Sequence, residues 1–297
     1  MMVVIPQQGK YSQFGGRCLP YSVWNLALDY KKTYLDPAMQ RLGGFENGSG
    51  WDVNNNKSFL GSVLKGTSGA EVLRLNLLQA ERLVDDQETL EYIRGLIDRG
   101  FEYVVIDGNN TSSAIYHFFQ NEVPAADNPD KPSGKSEYFS ELPAMTQDQV
   151  KMLPVTVHEV NNITRSEMTA LFRRLNKSTE LNPQEKRQSR ITDLAAFVRE
   201  LANNLDANGE RIGGNAFWQK FYNVKKCHTR IHEEQLAKFG LMIEKGFNTS
   251  TNPKDLNKLY EENDDFDKKT KSKMKKVMNL ADKIAKARIS IENSQTS

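Results

Sequence analysis

Cysteine is scarce in this chain of 297 residues, with only Cys18 and Cys227, far apart. That count gives no disulfide framework and suits a reducing compartment. Long apolar runs are missing as well. No stretch approaches the roughly 18 residues that span a bilayer. The N-terminal "MMVVIPQQGKYSQF" has neither a basic flank nor a small-residue cleavage site, so a soluble, cytoplasmic protein is expected. Excess charge of one sign is absent: 40 Lys and Arg stand against 38 Asp and Glu, a net +2. Nucleic-acid affinity would therefore rest on a local patch and not on the whole molecule. There is no P-loop, no HExxH and no HNH-like set. His228 and His232, beside Cys227 and Glu233, have the i, i+4 spacing zinc can use, but no third ligand follows at a characteristic spacing. Cys18 is expected to be an inert buried thiol.

What is present is 38% hydrophobic residues, enough for one large domain or two smaller ones. Residues up to about 33 show no clear periodicity. A helix is predicted over Asn54–Lys65, with Phe59, Leu60, Val63 and Leu64 on its apolar face. "AEVLRLNLL" reads as a strand, "DDQETLEYIRGLIDRG" as a helix closed by Gly100, and "FEYVVID" as a buried strand. "PAADNPDKPSGKSEYFS" reads as an exposed loop and "LPVTVHEV" as a further strand. Thereafter the chain is helical. Thr164–Glu167 and Asn182–Glu185 are capping boxes, with Ile163 and Met168 placed as a hydrophobic staple and Pro183 at a first helical position. The last segment turns from acidic to lysine-rich, and Met274, Val277, Met278, Ala281, Ile284 and Ala285 share a helical face.

The stretch "YVVIDGNNTSSAIYHFF" concentrates small polar groups where a strand gives way to a helix. The first backbone N–H groups of a helix lack intrahelical partners, and the dipole adds partial positive charge, so phosphates bind readily there. Gly108 permits a sharp turn. Asn109, Asn110, Thr111, Ser112 and Ser113 supply small donors, and Asp107 suits a divalent ion that bridges phosphates. The plainer reading is an ordinary turn at Asp107–Gly108 with Thr111 or Ser112 as N-cap.

"VVIDGNNTSSAI" resembles the "IDGQQRLTTL" signature of the ParB/sulfiredoxin-like superfamily, in the branch that forms the N-terminal domain of GmrSD-type modification-dependent restriction systems. "LDPAMQR" followed by Trp51, "NKSFLGSVLKG" and "ITRSEMTALFRRLNKSTELNPQEKR" resemble three further motifs of that branch, in the same order. The likeness covers about Tyr34 to Arg187. It implies an α+β fold, with a small mixed-sheet domain over residues 34–160 after an extension at 1–33. A helical domain over 161–260 and a C-terminal helix or tail over 261–297 complete the expected organisation.

The resemblance also implies a nucleotide-binding protein that hydrolyses NTP or transfers its phosphate, with NTP and Mg²⁺ as cofactors. The setting would be DNA metabolism, DNA modification or phage–host restriction conflict. Asp107, Asn110, Arg41 and Arg173 are the candidate catalytic residues, with Asp107 on the metal. Gly108, Asn109, Thr111, Ser112 and Ser113 are the candidate nucleotide contacts. The family arginine aligns with Thr111, which cannot form a bidentate clamp on phosphate. Arg41, Arg173 or Arg174 would have to supply that charge. The alternative is a DNA-binding or interaction protein of the same fold that has lost the chemistry. DNA would meet the basic C-terminal segment, and cutting would require a separate nuclease subunit.

Overall fold

Five strands form one mixed sheet: β1 (Arg17–Ser22), β2 (Thr33–Tyr34), β3 (Ala70–Asn76), β4 (Tyr103–Asp107) and β7 (Pro154–Val160). Their order is β1-β7-β3-β4-β2. The pairs β7–β3 and β4–β2 are parallel, and β1–β7 and β3–β4 are antiparallel. The computed structural model describes residues 11–39, 51–67, 69–176, 181–203, 217, 230–261 and 266–295. The chain is α+β and divides into two units, Met1–Leu175 and Asn176–Ser297.

In the first unit the sheet carries helices α1 (Val23–Tyr30), α2 (Val53–Leu64), α3 (Leu77–Ala80), α4 (Gln87–Asp98), α5 (Asn109–Phe119), α6 (Ala144–Lys151) and α7 (Arg165–Leu175). Alternation decides which strand residues face which layer. Val72, Val105, Val155 and Val157 pack with Leu26 of α1, Leu60 and Val63 of α2, and Ile115 and Phe118 of α5 in one core. Leu73, Leu75, Val104 and Ile106 are buried on the opposite face. There α7, with Met168, Leu171 and Phe172 buried, packs on β4.

Several sequence expectations change here. Arg17–Tyr30, which shows no periodicity, forms β1 and α1; β1 is an edge strand held by β7 alone, so a weak pattern suffices. Cys18 is exposed, not buried, because it projects from that edge strand. The predicted loop after Pro124 contains a short ladder of β5 (Ala125–Ala126) with β6 (Ser136–Glu137). The predicted strand "AEVLRLNLL" stops at Asn76, whose side chain accepts from the Gln79 N–H and starts α3.

The second unit is built from α8 (Pro183–Gln188), α9 (Asp193–Asn203), α10 (Ile231–Lys245), α11 (Pro253–Glu261) and α12 (Lys268–Gln295). Leu194, Val198, Leu236, Leu241, Leu256, Phe266, Met274 and Met278 form its core. Gly240 lets α10 approach closely: a Cβ there would lie 2.3 Å from the Phe266 ring and 2.8 Å from the Met274 sulfur. Of the predicted apolar face of α12, Met274, Met278 and Ala285 are buried, whereas Val277 and Ile284 are exposed. Among the described residues no helix is long and apolar enough to cross a membrane.

Candidate functional site

The turn from β4 into α5 brings the candidate nucleotide contacts together. Asp107 ends the strand and is exposed; Gly108 occupies the N-cap position with φ +90° and ψ 18°. Two constraints select glycine there. The backbone is left-handed, and a Cβ would sit 2.8 Å from the Glu71 carbonyl oxygen and 3.0 Å from the Val72 Cα of β3. Lacking a side chain, Gly108 caps none of the first helical N–H groups. The backbone N–H groups of Asn109, Asn110 and Thr111 therefore form the helix's positive end without an intrahelical acceptor.

The side chains divide by direction. Ser112 Oγ donates back to the Gly108 carbonyl at 3.0 Å, and that oxygen also accepts the Ser112 N–H at 2.9 Å. Ser113 is fully buried and hydrogen-bonds Tyr30, whose phenol is pushed up by burial and drawn down by this bond. Ser112 thus closes the first turn of α5 on itself, and Ser113 ties the helix to α1. Asn110 and Thr111 remain half-exposed. Asn109 is only 9% exposed, and its Oδ1 is enclosed without a hydrogen-bond partner among the described residues. A buried amide oxygen left unmade costs about 1–3 kcal/mol, so the position is selected against unless something completes it.

Two segments distant in sequence run beside β4. β2 runs parallel to β4 with Thr33 opposite Tyr103 and Tyr34 opposite Val104, so the chain leaving β2 travels toward the Asp107 end. It is pinned there by Asp36, which is 1% exposed. Asp36 accepts from Tyr92 Oη at 2.8 Å, Arg165 Nη2 at 3.0 Å and the Ala38 N–H at 2.9 Å. Arg173 lies half-buried in the last turn of α7, the helix that packs on β4, and Arg174 beside it is exposed. Arg41 lies outside the described residues, as do Cys227 and His228. His232, the remaining member of that cluster, is buried. Among the described residues no three His, Cys, Asp or Glu side chains are grouped to hold a metal ion.

Sequence reasoning missed a second charged centre. Across three neighbouring strands, Arg17, Glu159 and Arg74 lie side by side. Arg74 Nη2 donates to Glu159 Oε1 at 2.7 Å, and its Nη1 donates to Asp29 at 2.8 Å. Arg17 Nη2 donates to the other Glu159 oxygen at 2.6 Å. The Arg74 guanidinium lies 3.6 Å from the Tyr103 ring centroid. Burial raises the Tyr103 phenol to about 12, against the pull of Arg74. The sequence signal was available: Arg74 and Glu159, opposite in charge, each interrupt the inward-facing set of an alternating strand. Every strong donor and acceptor in this centre is paired, which makes it a clamp across the sheet and not a place for a ligand.

The second unit contains a cavity of about 240 Å³ lined by Leu241, Lys245, Thr249, Asp255 and Leu259 among others. It also buries a polar network in which Gln184 and Gln188 donate to Tyr260 Oη at 3.3 and 3.1 Å and Arg187 pairs with Glu234 at 2.5 Å. The cavity has one acid, Asp255, in the first turn of α11, and the polar network is satisfied by its own members. Comparison of the chain with protein-family models, with curated proteins and with solved structures finds no match in any of the three.

Proposed function

We propose that this chain binds a nucleoside triphosphate with Mg²⁺ at the β4–α5 junction and hydrolyses it or transfers its phosphate. As the resemblance to ParB/sulfiredoxin-like proteins suggests, the setting is DNA metabolism, DNA modification or phage–host restriction conflict. The carrying observation is Asn109: its buried Oδ1 has no hydrogen-bond partner among the described residues, and it stands at a helix start that no side chain of the N-cap residue caps. Half a turn about its Cβ–Cγ bond presents Nδ2 as a donor, so the amide can join those N–H groups around a phosphate oxygen. The exposed Asp107 carboxylate supplies one metal ligand, and phosphate oxygens and water complete the shell around Mg²⁺. Charge that develops on the transferred phosphoryl group needs a cation, and Arg173 or Arg41 is the candidate for it. The lysines of α12 would meet DNA phosphates, and any cutting would fall to a separate nuclease subunit.

Calorimetric titration with the four common triphosphates, with and without Mg²⁺, tests the binding; no heat at millimolar ligand would sink it. Asp107→Ala should abolish Mg²⁺-dependent turnover. A second reading, a non-catalytic DNA-binding or interaction protein, is favoured by Thr111 at the position where the family carries arginine. It prevails if the wild type binds but does not turn over, and Thr111→Arg gains hydrolysis.

A further inference from the structure

Helix α12 has two apolar stripes, and its own unit covers one of them. Thr270, Met274, Met278 and Ala285 are buried. Val277, Leu280, Ile284, Ala287 and Ile291 recur at alternating spacings of three and four and are all exposed. Four of them are large: Val277 is 44% exposed, Leu280 and Ile284 59%, and Ile291 57%. The spacing is that of the a and d positions of a coiled coil, with the β-branched Val277, Ile284 and Ile291 at a. At 1.5 Å per residue the seam runs for about 21 Å.

The edges of the seam are basic. Lys276 and Lys283 occupy the g positions, Arg288 an e position, and no acidic residue falls at e or g from Lys276 to Ser290. We propose that the seam is a docking surface for an acidic amphipathic helix of another protein. That helix would lay its own apolar seam against Val277–Ile291 and set Glu or Asp beside Lys276, Lys283 and Arg288. Charge decides against a second copy of this chain, because Lys283 and Arg288 would face each other across a parallel pair. A bilayer surface is disfavoured because α12 has no aromatic residue to seat at the headgroup level. Nucleic acid would use the lysines but has no use for exposed Val, Leu and Ile.

The test uses the full chain and a labelled synthetic peptide of about three heptads, with Ile and Leu at a and d and Glu at e and g. A matched peptide carries Lys at e and g. Fluorescence anisotropy should show saturable binding of the Glu peptide only. Ile284→Lys should weaken that binding by about tenfold or more, with helicity and melting unchanged because Ile284 is exposed. This substitution adds positive charge, so attraction that was merely electrostatic would strengthen instead. The proposal is overturned if the Glu peptide fails to saturate at roughly 100 µM protein, if both peptides bind equally, or if Ile284→Lys leaves binding intact. Concentration-dependent dimerisation of the wild type, lost in Ile284→Lys, would assign the seam to a second copy and also overturn it. So would binding to phosphatidylserine vesicles that Ile284→Lys abolishes.

Discussion

Replacing Asn109 by leucine keeps the size of the side chain and removes an acceptor that has no partner among the described residues. Taking away an unsatisfied buried polar group is close to neutral or stabilising. Asn109→Leu should therefore leave the urea midpoint unchanged or raised while it weakens triphosphate binding by about tenfold or more. A variant that loses stability and binding together would show that Asn109 serves the fold. Arg74 behaves in the opposite way. Removing it takes one of two guanidinium partners from Glu159, which is 2% exposed on its side chain and keeps Arg17, so Arg74→Met should cost about 1–3 kcal/mol at neutral pH in urea denaturation. Burial alone would raise the Glu159 carboxyl, but Arg17 and Arg74 outweigh it and hold the group below its usual value. A depressed folded value stabilises above the unfolded pKa of about 4.3, and that stability is lost as pH falls through the folded value. The gap between wild type and Arg74→Met should thus be full at neutral pH and shrink below about pH 4.

Helix starts are where single elements can be tested. Asn182 Oδ1 accepts from the N–H groups of Gln184 and Glu185, both at 2.9 Å, and Glu185 returns a carboxylate to the Asn182 N–H at 2.7 Å. Thr164 and Glu167 repeat the exchange at the start of α7, at 3.2 and 2.8 Å. α8 has only six residues, too few to persist by propensity alone, so its cap and its buried contacts carry it. Asn182→Ala should cost about 1 kcal/mol, with Asn182→Asp close to wild type, measured by denaturant midpoint at constant m-value.

At the scale of the whole chain, two units with separate cores make a single unfolding transition the less expected outcome. A triphosphate bound at the β4–α5 junction touches only the first unit. Saturating Mg²⁺–triphosphate should raise one calorimetric transition and leave the other in place. At a hundred times Kd the gain is about 2.7 kcal/mol. Movement of both transitions would mean that ligand binding is felt beyond the sheet unit, and movement of the second alone would place the ligand site there.

Features written within a few consecutive residues were legible in the sequence. The capping boxes at Thr164 and Asn182 and the glycine turn at Gly108 depend on local backbone chemistry, although α5 begins at Asn109, earlier than a Thr111 or Ser112 cap would start it. So do the strands Tyr103–Asp107 and Pro154–Val160, whose apolar content marks burial by itself. Tertiary structure decided the rest. Arg17 and Glu159 are 142 residues apart and become partners only through the β1–β7 register. The sequence offers Asn109 as one small polar residue among five; only the folded chain shows that its amide oxygen is enclosed. On α12 one broad apolar face splits into a covered stripe and an open seam, because Gly240 admits Met274 while Val277 and Ile284 point elsewhere. Periodicity tells which residues share a face, but only the packing of distant segments determines which face is covered.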